Sequence, residues 1–265
     1  MLAYRSEGDR SKPVLVLLHG FLGDKHDWQG VLARLSQHFR CIALDLPGHG
    51  ASPSLEGDPD SSGFQRVVTH ILSTLDELKV NRFHLLGYSL GGRIALHLAQ
   101  HLAKRAPERL LSLHLESCHL GLSNDEERSQ RLEQDRLWQQ KLLSLPISDF
   151  LALWYQQGVF ASLNDEQRQK LIQARSHNRP AALASIYLPT SLGHQADLSS
   201  QPEQSTLNWH YYVGLQDDKF LALAKAWQAK QKIALYRVPG AGHNVHLAQP
   251  EAFCDLLIAQ LRIQA

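Results

Sequence analysis

Gly87-Tyr88-Ser89-Leu90-Gly91 reads G-x-S-x-G, the spacing that holds a serine on a sharp turn between a strand and a helix. The apolar run Phe83 to Gly87 precedes it and the helical pattern LGGRIALHLAQHLA follows, which is the context such a turn requires. The backbone passes close to itself there, so the neighbours must lack side chains, and Gly87, Gly91 and Gly92 meet that need. The hydroxyl would stand at a helix N-terminus, whose unpaired N–H groups and positive dipole end favour developing negative charge. A serine hydroxyl is a poor nucleophile or base at neutral pH unless another group takes its proton, so a histidine and a carboxylate should follow downstream. Both do, in that setting: Gly214-Leu215-Gln216-Asp217 ends an apolar run, and Gly240-Ala241-Gly242-His243 follows another. Asp218 competes with Asp217, and the spacing from Gly214 favours Asp217. His246 competes with His243 and reads instead as a packed or solvent-facing residue. His19-Gly20-Phe21 closes an early apolar run, so the backbone N–H groups of Phe21 and Leu90 would together bind an oxyanion. His19 fits a hydrogen-bonding role in shaping that loop better than a proton-carrying one.

Such a constellation needs a rigid frame. Val14 to Leu18, Cys41 to Leu46, Phe83 to Gly87 and Leu110 to Leu115 are short β-rich apolar runs of the kind buried on both faces of a sheet. Leu207 to Val213 and Ile233 to Val238 repeat the pattern near the end of the chain, and Leu2 to Tyr4 suggests a short first strand. Trp28 to Phe39, Phe64 to Leu78, Leu90 to Leu102, Phe220 to Ala229 and Pro250 to Arg262 carry helical periodicity between them. Strand and helix alternate, which predicts a mostly parallel sheet with helices on both faces. From Leu122 to about Ser200 the alternation stops and polar helical stretches take over. Ser123 or Asn124 would cap the first of these, and Asn164 with Gln167 would begin another. The organisation expected is one domain, with a core of residues 1–117 and 206–265 and a helical lid of residues 118–205.

At 265 residues the chain can bury one sizeable core, and 43% hydrophobic with 20% charged residues excludes a disordered or fibrous chain. Lys and Arg number 27 against 26 Asp and Glu, and a net charge of +1 gives no reason to expect nucleic acid or an anionic membrane as partner. Cys41, Cys118 and Cys254 show no paired spacing and read as reduced, with Cys118 a small buried residue and not a thiolate. The opening MLAYRSEGDRSKP lacks the apolar run of a signal peptide, and no segment approaches ~18 uninterrupted apolar residues, so a cytoplasmic location is expected. The histidines lack metal-ligand spacing, His243-x-x-His246 included, and neither metal nor cofactor is called for.

The order serine, acid, histidine on this scaffold resembles the α/β-hydrolase fold. More narrowly, the chain resembles the 2-succinyl-6-hydroxy-2,4-cyclohexadiene-1-carboxylate synthases of bacterial menaquinone biosynthesis. HGFLGDKHDWQ (19–29), LDLPGHGAS (44–52), GYSLGGR (87–93) and PGAGHNVH (239–246) are shared in looser form by many hydrolases of the fold. ERSQRLEQDRLW (127–138) and WYQQGVFASLNDEQR (154–168), both in the lid, are much more particular. The resemblance implies a lyase that abstracts a proton from a small polycarboxylate, 2-succinyl-5-enolpyruvyl-6-hydroxy-3-cyclohexene-1-carboxylate, and expels pyruvate. It also implies substrate contacts at Tyr88, Arg93, Arg131, Trp154 and Arg175, where the family has the same residue types, with Arg128 a weaker candidate. Arginine suits carboxylates because its planar fork binds in two places and keeps its charge. Against this, residues 118–204 hold eight Lys and Arg and ten Asp and Glu, so the lid as a whole does not attract an anion. Lid arginines also solvate surfaces or pair with neighbours, and Asp135 lies four residues after Arg131.

Two other functions use the same residues. A carboxylesterase or thioesterase would run Ser89, His243 and Asp217 through an acyl-enzyme and would have no need of three arginines. A non-catalytic sensor of this fold would bind a small ligand and present it to a partner through the lid. Dehalogenases and epoxide hydrolases are excluded, since they carry aspartate where this chain has Ser89. A monomer or weak homo-oligomer is expected.

Overall fold

A computed structural model describes residues 1–56 and 62–262, so residues 57–61 and 263–265 of the expected core lie outside the description. Seven strands form one sheet: β1 (Tyr4–Glu7), β2 (Val14–Leu18), β3 (Arg40–Leu44), β4 (Phe83–Tyr88), β5 (Leu110–Glu116), β6 (Asn208–Gly214) and β7 (Ala234–Val238). Their spatial order is β1-β3-β2-β4-β5-β6-β7, with β1 antiparallel to β3 and every other pairing parallel. The first strand lies further along than Leu2 to Tyr4. Leu2 is instead buried, with its N–H donating to Thr74 Oγ1 at 2.8 Å, while the sheet edge is made by YRSE, whose polar residues give no apolar signal.

Side chains alternate across the strands and so sort into two cores. Val16 and Leu18 of β2, Ile42 and Leu44 of β3, and Leu113 and Leu115 of β5 face α2 (Gly63–Glu77) and α3 (Leu90–Arg105). Leu15, Leu17, Cys41 and Ala43 face the opposite way. There they meet α1 (Gln29–Leu35), and Phe253, Leu257 and Leu261 close the same layer. The helix expected over Trp28 to Phe39 is therefore shorter. A 3-10 turn over Lys25–Trp28, capped by Asp24, leads into it, and the chain leaves it after Leu35 to tuck Phe39 into the core.

The second face is not purely apolar. His84, Ser112, His114 and Tyr212 form a buried hydrogen-bond chain, with contacts of 2.7, 2.9 and 3.0 Å in that order. Each polar group there has a partner, which is what keeps such a seam affordable in a low-dielectric core. Burial pushes His84 and His210 down to about 4 and His114 well below its ordinary value.

Four helices intervene between β5 and β6: α4 (Asp125–Ser144), α5 (Ile147–Trp154), α6 (Asp165–Arg175) and α7 (Pro180–Tyr187). Asn124 caps α4 by accepting from the Glu127 N–H at 2.8 Å, and Asn164 with Gln167 forms a reciprocal capping box on α6. A cap of this kind contributes about 1 kcal/mol. A third apolar cluster, including Leu22, Leu142, Phe150, Leu151 and Leu183, joins these helices to the loop after β2. The chain returns to the sheet through β6 and then α8 (Asp218–Gln228), and after β7 come α9 (Val245–Ala248) and α10 (Pro250–Arg262). Among the described residues no helix is long and apolar enough to cross a membrane.

Candidate active site

Ser89 sits at φ 51° and ψ −109° at the junction of β4 and α3. A non-glycine residue there is strained, and the strain is held by the N–H of Ser89 donating to the Glu116 carbonyl at 2.9 Å and by crowding of the turn. A Cβ on Gly91 would collide with the carbonyl oxygens of Leu18 and His19, and one on Gly87 with that of Gly91. A Cβ on Gly92 would lie 2.6 Å from Cys118 Cβ. Cys118 is the small buried residue the sequence suggests, and burial pushes its thiol up, away from nucleophilic use.

The Ser89 hydroxyl lies 3.2 Å from His243 Nε2, and His243 Nδ1 donates to Asp217 Oδ2 at 2.7 Å. Asp217 is fixed by the helix it begins: its Oδ1 accepts from the Phe220 N–H at 3.2 Å and caps α8. Asp218, the rival, is the first residue of that helix and points to solvent. The His243 ring packs against Phe220 at 4.8 Å and Tyr88 at 5.4 Å, which limits its rotation. Leu90 opens α3, so its N–H has no intrahelical acceptor, and among the described residues the Phe21 N–H has none either. Two histidines shape the Phe21 loop. His19 donates from Nδ1 to the Gly20 carbonyl at 2.7 Å and accepts from the Leu46 N–H at 3.0 Å, while His49 accepts from the Leu22 N–H at 3.2 Å. Burial holds both imidazoles below their ordinary pKa, consistent with neutral structural rings.

Sequence reasoning missed Glu116. This fully buried carboxylate at the end of β5 accepts from the N–H groups of Val245 and His246 at 2.6 and 3.1 Å, and from His246 Nδ1 at 2.7 Å. Its carbonyl holds Ser89, so one residue ties the nucleophile turn to the segment just after His243. His246 is thereby packed and not solvent-facing, stacked on Trp28 at 4.1 Å. The only sequence signal was a glutamate in an otherwise apolar strand run.

A cavity of about 160 Å³ opens at Ser89 and is lined by Phe21, Leu90, Arg93, Arg131, Trp154 and His243, together with Ser117, His119 and Lys219. Six of the ten sequence-predicted site residues other than Ser89 thus meet there, and Asp217 stands behind His243. Arg93 is buried and donates to the Thr190 carbonyl at 2.8 Å, and burial followed by the nearby Arg131 pushes it down to about 10. Arg131 pairs with Asp135 at 2.9 Å, as its sequence neighbourhood allowed, yet still faces the cavity. Asp135 is also held by Tyr187 at 3.0 Å and Ser191 at 2.6 Å. Trp154 stacks with Phe21 at 5.1 Å above the nucleophile. Tyr88 and Arg175 do not reach this cavity; they line an adjoining one that shares Phe21 and His243. Arg175 is buried against Asp27 and Tyr155. Burial alone would lower its pKa, but these partners outweigh it and the net direction is up. Arg128 is spent on Asp125 and the Leu122 carbonyl. Lys219, which sequence reasoning did not single out, lies two residues after Asp217 and lines the cavity without an ion-pair partner among the described residues. No three His, Cys, Asp or Glu side chains among the described residues cluster as metal ligands would.

The profile of the alpha/beta hydrolase fold family matches residues 13–250. The 2-succinyl-6-hydroxy-2,4-cyclohexadiene-1-carboxylate synthase of Escherichia coli O1:K1 / APEC is 39% identical over 260 residues, 98% of each chain. That of Escherichia coli strain K12 is 40% identical over 261 residues, again 98% of each. Among solved structures, MenH from S. aureus superposes with a TM-score of 0.87 at 25% identity, covering 100% of this chain and 99% of that one. A thermophilic esterase from Thermogutta terrifontis shares the fold, with a TM-score of 0.82 at 20% identity over 100% of this chain and 94% of its own.

Proposed function

The chain belongs to the alpha/beta hydrolase fold family and, within it, to the 2-succinyl-6-hydroxy-2,4-cyclohexadiene-1-carboxylate synthases, and from that membership we propose how its residues carry out the reaction. It is a carbon–oxygen lyase of menaquinone biosynthesis that turns 2-succinyl-5-enolpyruvyl-6-hydroxy-3-cyclohexene-1-carboxylate into the conjugated cyclohexadiene and pyruvate. The hydrogen on ring carbon 2 is acidic because the succinyl ketone stands next to it. His243, oriented by Asp217, takes the Ser89 proton, and Ser89 Oγ takes the ring proton. The C–H electron pair becomes the bond between carbons 2 and 3, the existing double bond shifts to carbons 4 and 5, and the carbon–oxygen bond at carbon 5 breaks. Enolpyruvate leaves with that oxygen, regains a proton and tautomerises to pyruvate. No water is consumed. The charge that develops on the succinyl ketone oxygen is met by the N–H groups of Phe21 and Leu90.

The observation that carries this reading is the charge of the cavity wall. Arg93, Arg131 and Lys219 face the space above Ser89, and no aspartate or glutamate lines it. A substrate with three carboxylates matches such a wall, whereas an uncharged ester would leave those cations unused. In this proposal residues 118–205 act as a lid over the substrate, Tyr88 packs beside the reacting centre, and Arg175 steadies the Phe21 side of the site through Asp27. All these residues lie in one chain, so a monomer suffices, and three buried unpaired cysteines suit a cytoplasmic setting. The test follows pyruvate together with the absorbance of the diene. Wild type should form both in equal amounts, and Ser89→Ala should lose about a thousandfold or more in kcat. Undiminished conversion by Ser89→Ala would overturn the role given to the serine.

A further inference from the structure

The catalytic cavity is small for its proposed substrate. Its volume of about 160 Å³, even with the adjoining cavity of about 80 Å³, falls below the roughly 300 Å³ at the lower end of pockets that enclose a ligand of this size. A much larger cavity, about 590 Å³, lies on the far side of a shared wall made by His119, Arg131, Leu192 and Lys219. These four residues form a neck between the two spaces, and a ring bearing three carboxylate arms must extend through it.

The neck carries two cations, and they are not equivalent. Arg131 is already committed to Asp135. Lys219 is the third residue of the Gln216-Asp217-Asp218-Lys219 run only two positions beyond the triad acid, and the helix turn that Asp217 caps fixes its backbone. Its ammonium lies 5.7 Å from the centre of the Phe220 ring, the ring that packs on His243. The neighbouring imidazole of His119 registers the local field. Burial first, then Lys219, Arg93 and Arg131, push it down to about 4, so it stands neutral and adds no charge of its own. Lys219 itself is lowered by burial and by Arg131, with Asp217 acting in the opposite sense, as befits a cation next to another cation without an anion between them.

Resting on the lyase reading above, we propose that Lys219 is a substrate-binding residue that holds a carboxylate arm of the substrate in the neck between the catalytic and outer cavities, completing with Arg93 and Arg131 a set of three cations. Because that arm is remote from the bond that breaks, its contact is the same in ground and transition states and affects binding more than the chemical step. Lys219→Met removes the charge and keeps the length, while Lys219→Arg keeps the charge. The position is exposed on its outer side, so neither change opens a core cavity. Steady-state pyruvate release should show KM raised about tenfold in Lys219→Met with kcat within about threefold of wild type, and Lys219→Arg should restore most of the loss. An unchanged KM in Lys219→Met would overturn the proposal, as would an equal loss in both variants. A second readout does not depend on the lyase reading. Calorimetric titration with propane-1,2,3-tricarboxylate should show binding to wild type that weakens at least fivefold in Lys219→Met and survives in Lys219→Arg. Equal binding by wild type and Lys219→Met would refute the Lys219 subsite even if pyruvate release proceeds, whereas a wild type that releases no pyruvate but binds the tricarboxylate through Lys219 would remove the lyase reading and keep the subsite.

Discussion

The sheet side and the helix side of this site are built by different means. On the sheet side, Ser89, Leu90, Phe21, Asp217 and His243 are set by backbone: a strained turn, a helix start, a capped helix and a loop pinned by His19 and His49. On the helix side, Arg131 and Trp154 reach in from α4 and α5, and Arg131 is aimed by a side-chain ion pair. Backbone devices admit few residue types and leave fixed spacings in a sequence. Ion pairs between side chains accept many arrangements and leave almost none. The division also separates two jobs, since the sheet side handles the proton and the oxyanion and the helix side handles substrate charge.

Substitutions on the two sides should therefore fail differently. Asp217→Asn breaks the sheet side most sharply, because His243 loses the acceptor that sets its tautomer while the capping oxygen remains. We expect kcat to fall about a thousandfold or more with KM little changed, measured by pyruvate release. Arg131→Ala should show the opposite signature, a KM raised about 10- to 100-fold with a smaller change in kcat. The fold should tolerate this change at a loss of roughly 1–3 kcal/mol, because Tyr187 and Ser191 still donate to Asp135. A kcat-dominated loss in Arg131→Ala would erase the distinction between the two sides.

Glu116→Gln sharpens the comparison from within the sheet side. The amide oxygen can still accept the N–H groups of Val245 and His246, but the charge opposite His246 is gone. A loss of about tenfold in kcat at unchanged KM is expected, with a parallel shift in the pH–rate profile that a purely structural defect would not produce. Loss of activity matched by loss of folded protein, with an unmoved profile, would reduce Glu116 to a structural residue. The smallest effect concerns the histidine seam. His84 and His210 sit at about 4 in the fold against an ordinary value of 6.5, so they stay neutral while an unfolded chain takes up protons below that value. Their contribution is full above pH 6.5 and is progressively lost as pH falls toward 4, which thermal melts across that window should record as a falling Tm. A Tm that is flat or rises over the window would contradict it.

What the sequence disclosed follows the same division. The G-x-S-x-G turn, the order Ser89, Asp217, His243 and the caps at Asn124 and Asn164 were legible because each is a local backbone demand. Most strands were placed within a residue or two, since burial on both faces leaves an apolar run. The edge strand Tyr4–Glu7 was displaced because an edge need not be apolar. Arg175 illustrates the other side. Its residue type suggested a carboxylate ligand, and the structure pairs it with Asp27, a residue 148 positions away that no local pattern connects to it. Glu116 and Lys219 were missed for the same reason, since each acts through partners brought close only by the fold.

The central claim is that Ser89 works as a base in an elimination and not as a nucleophile in an acyl transfer. The most direct test places deuterium at ring carbon 2 of the substrate and follows diene formation in a single turnover. Proton abstraction by Ser89 predicts that the labelled substrate reacts severalfold more slowly, with the enzyme's mass unchanged throughout. Equal rates for both substrates, accompanied by an acyl adduct on Ser89, would contradict it.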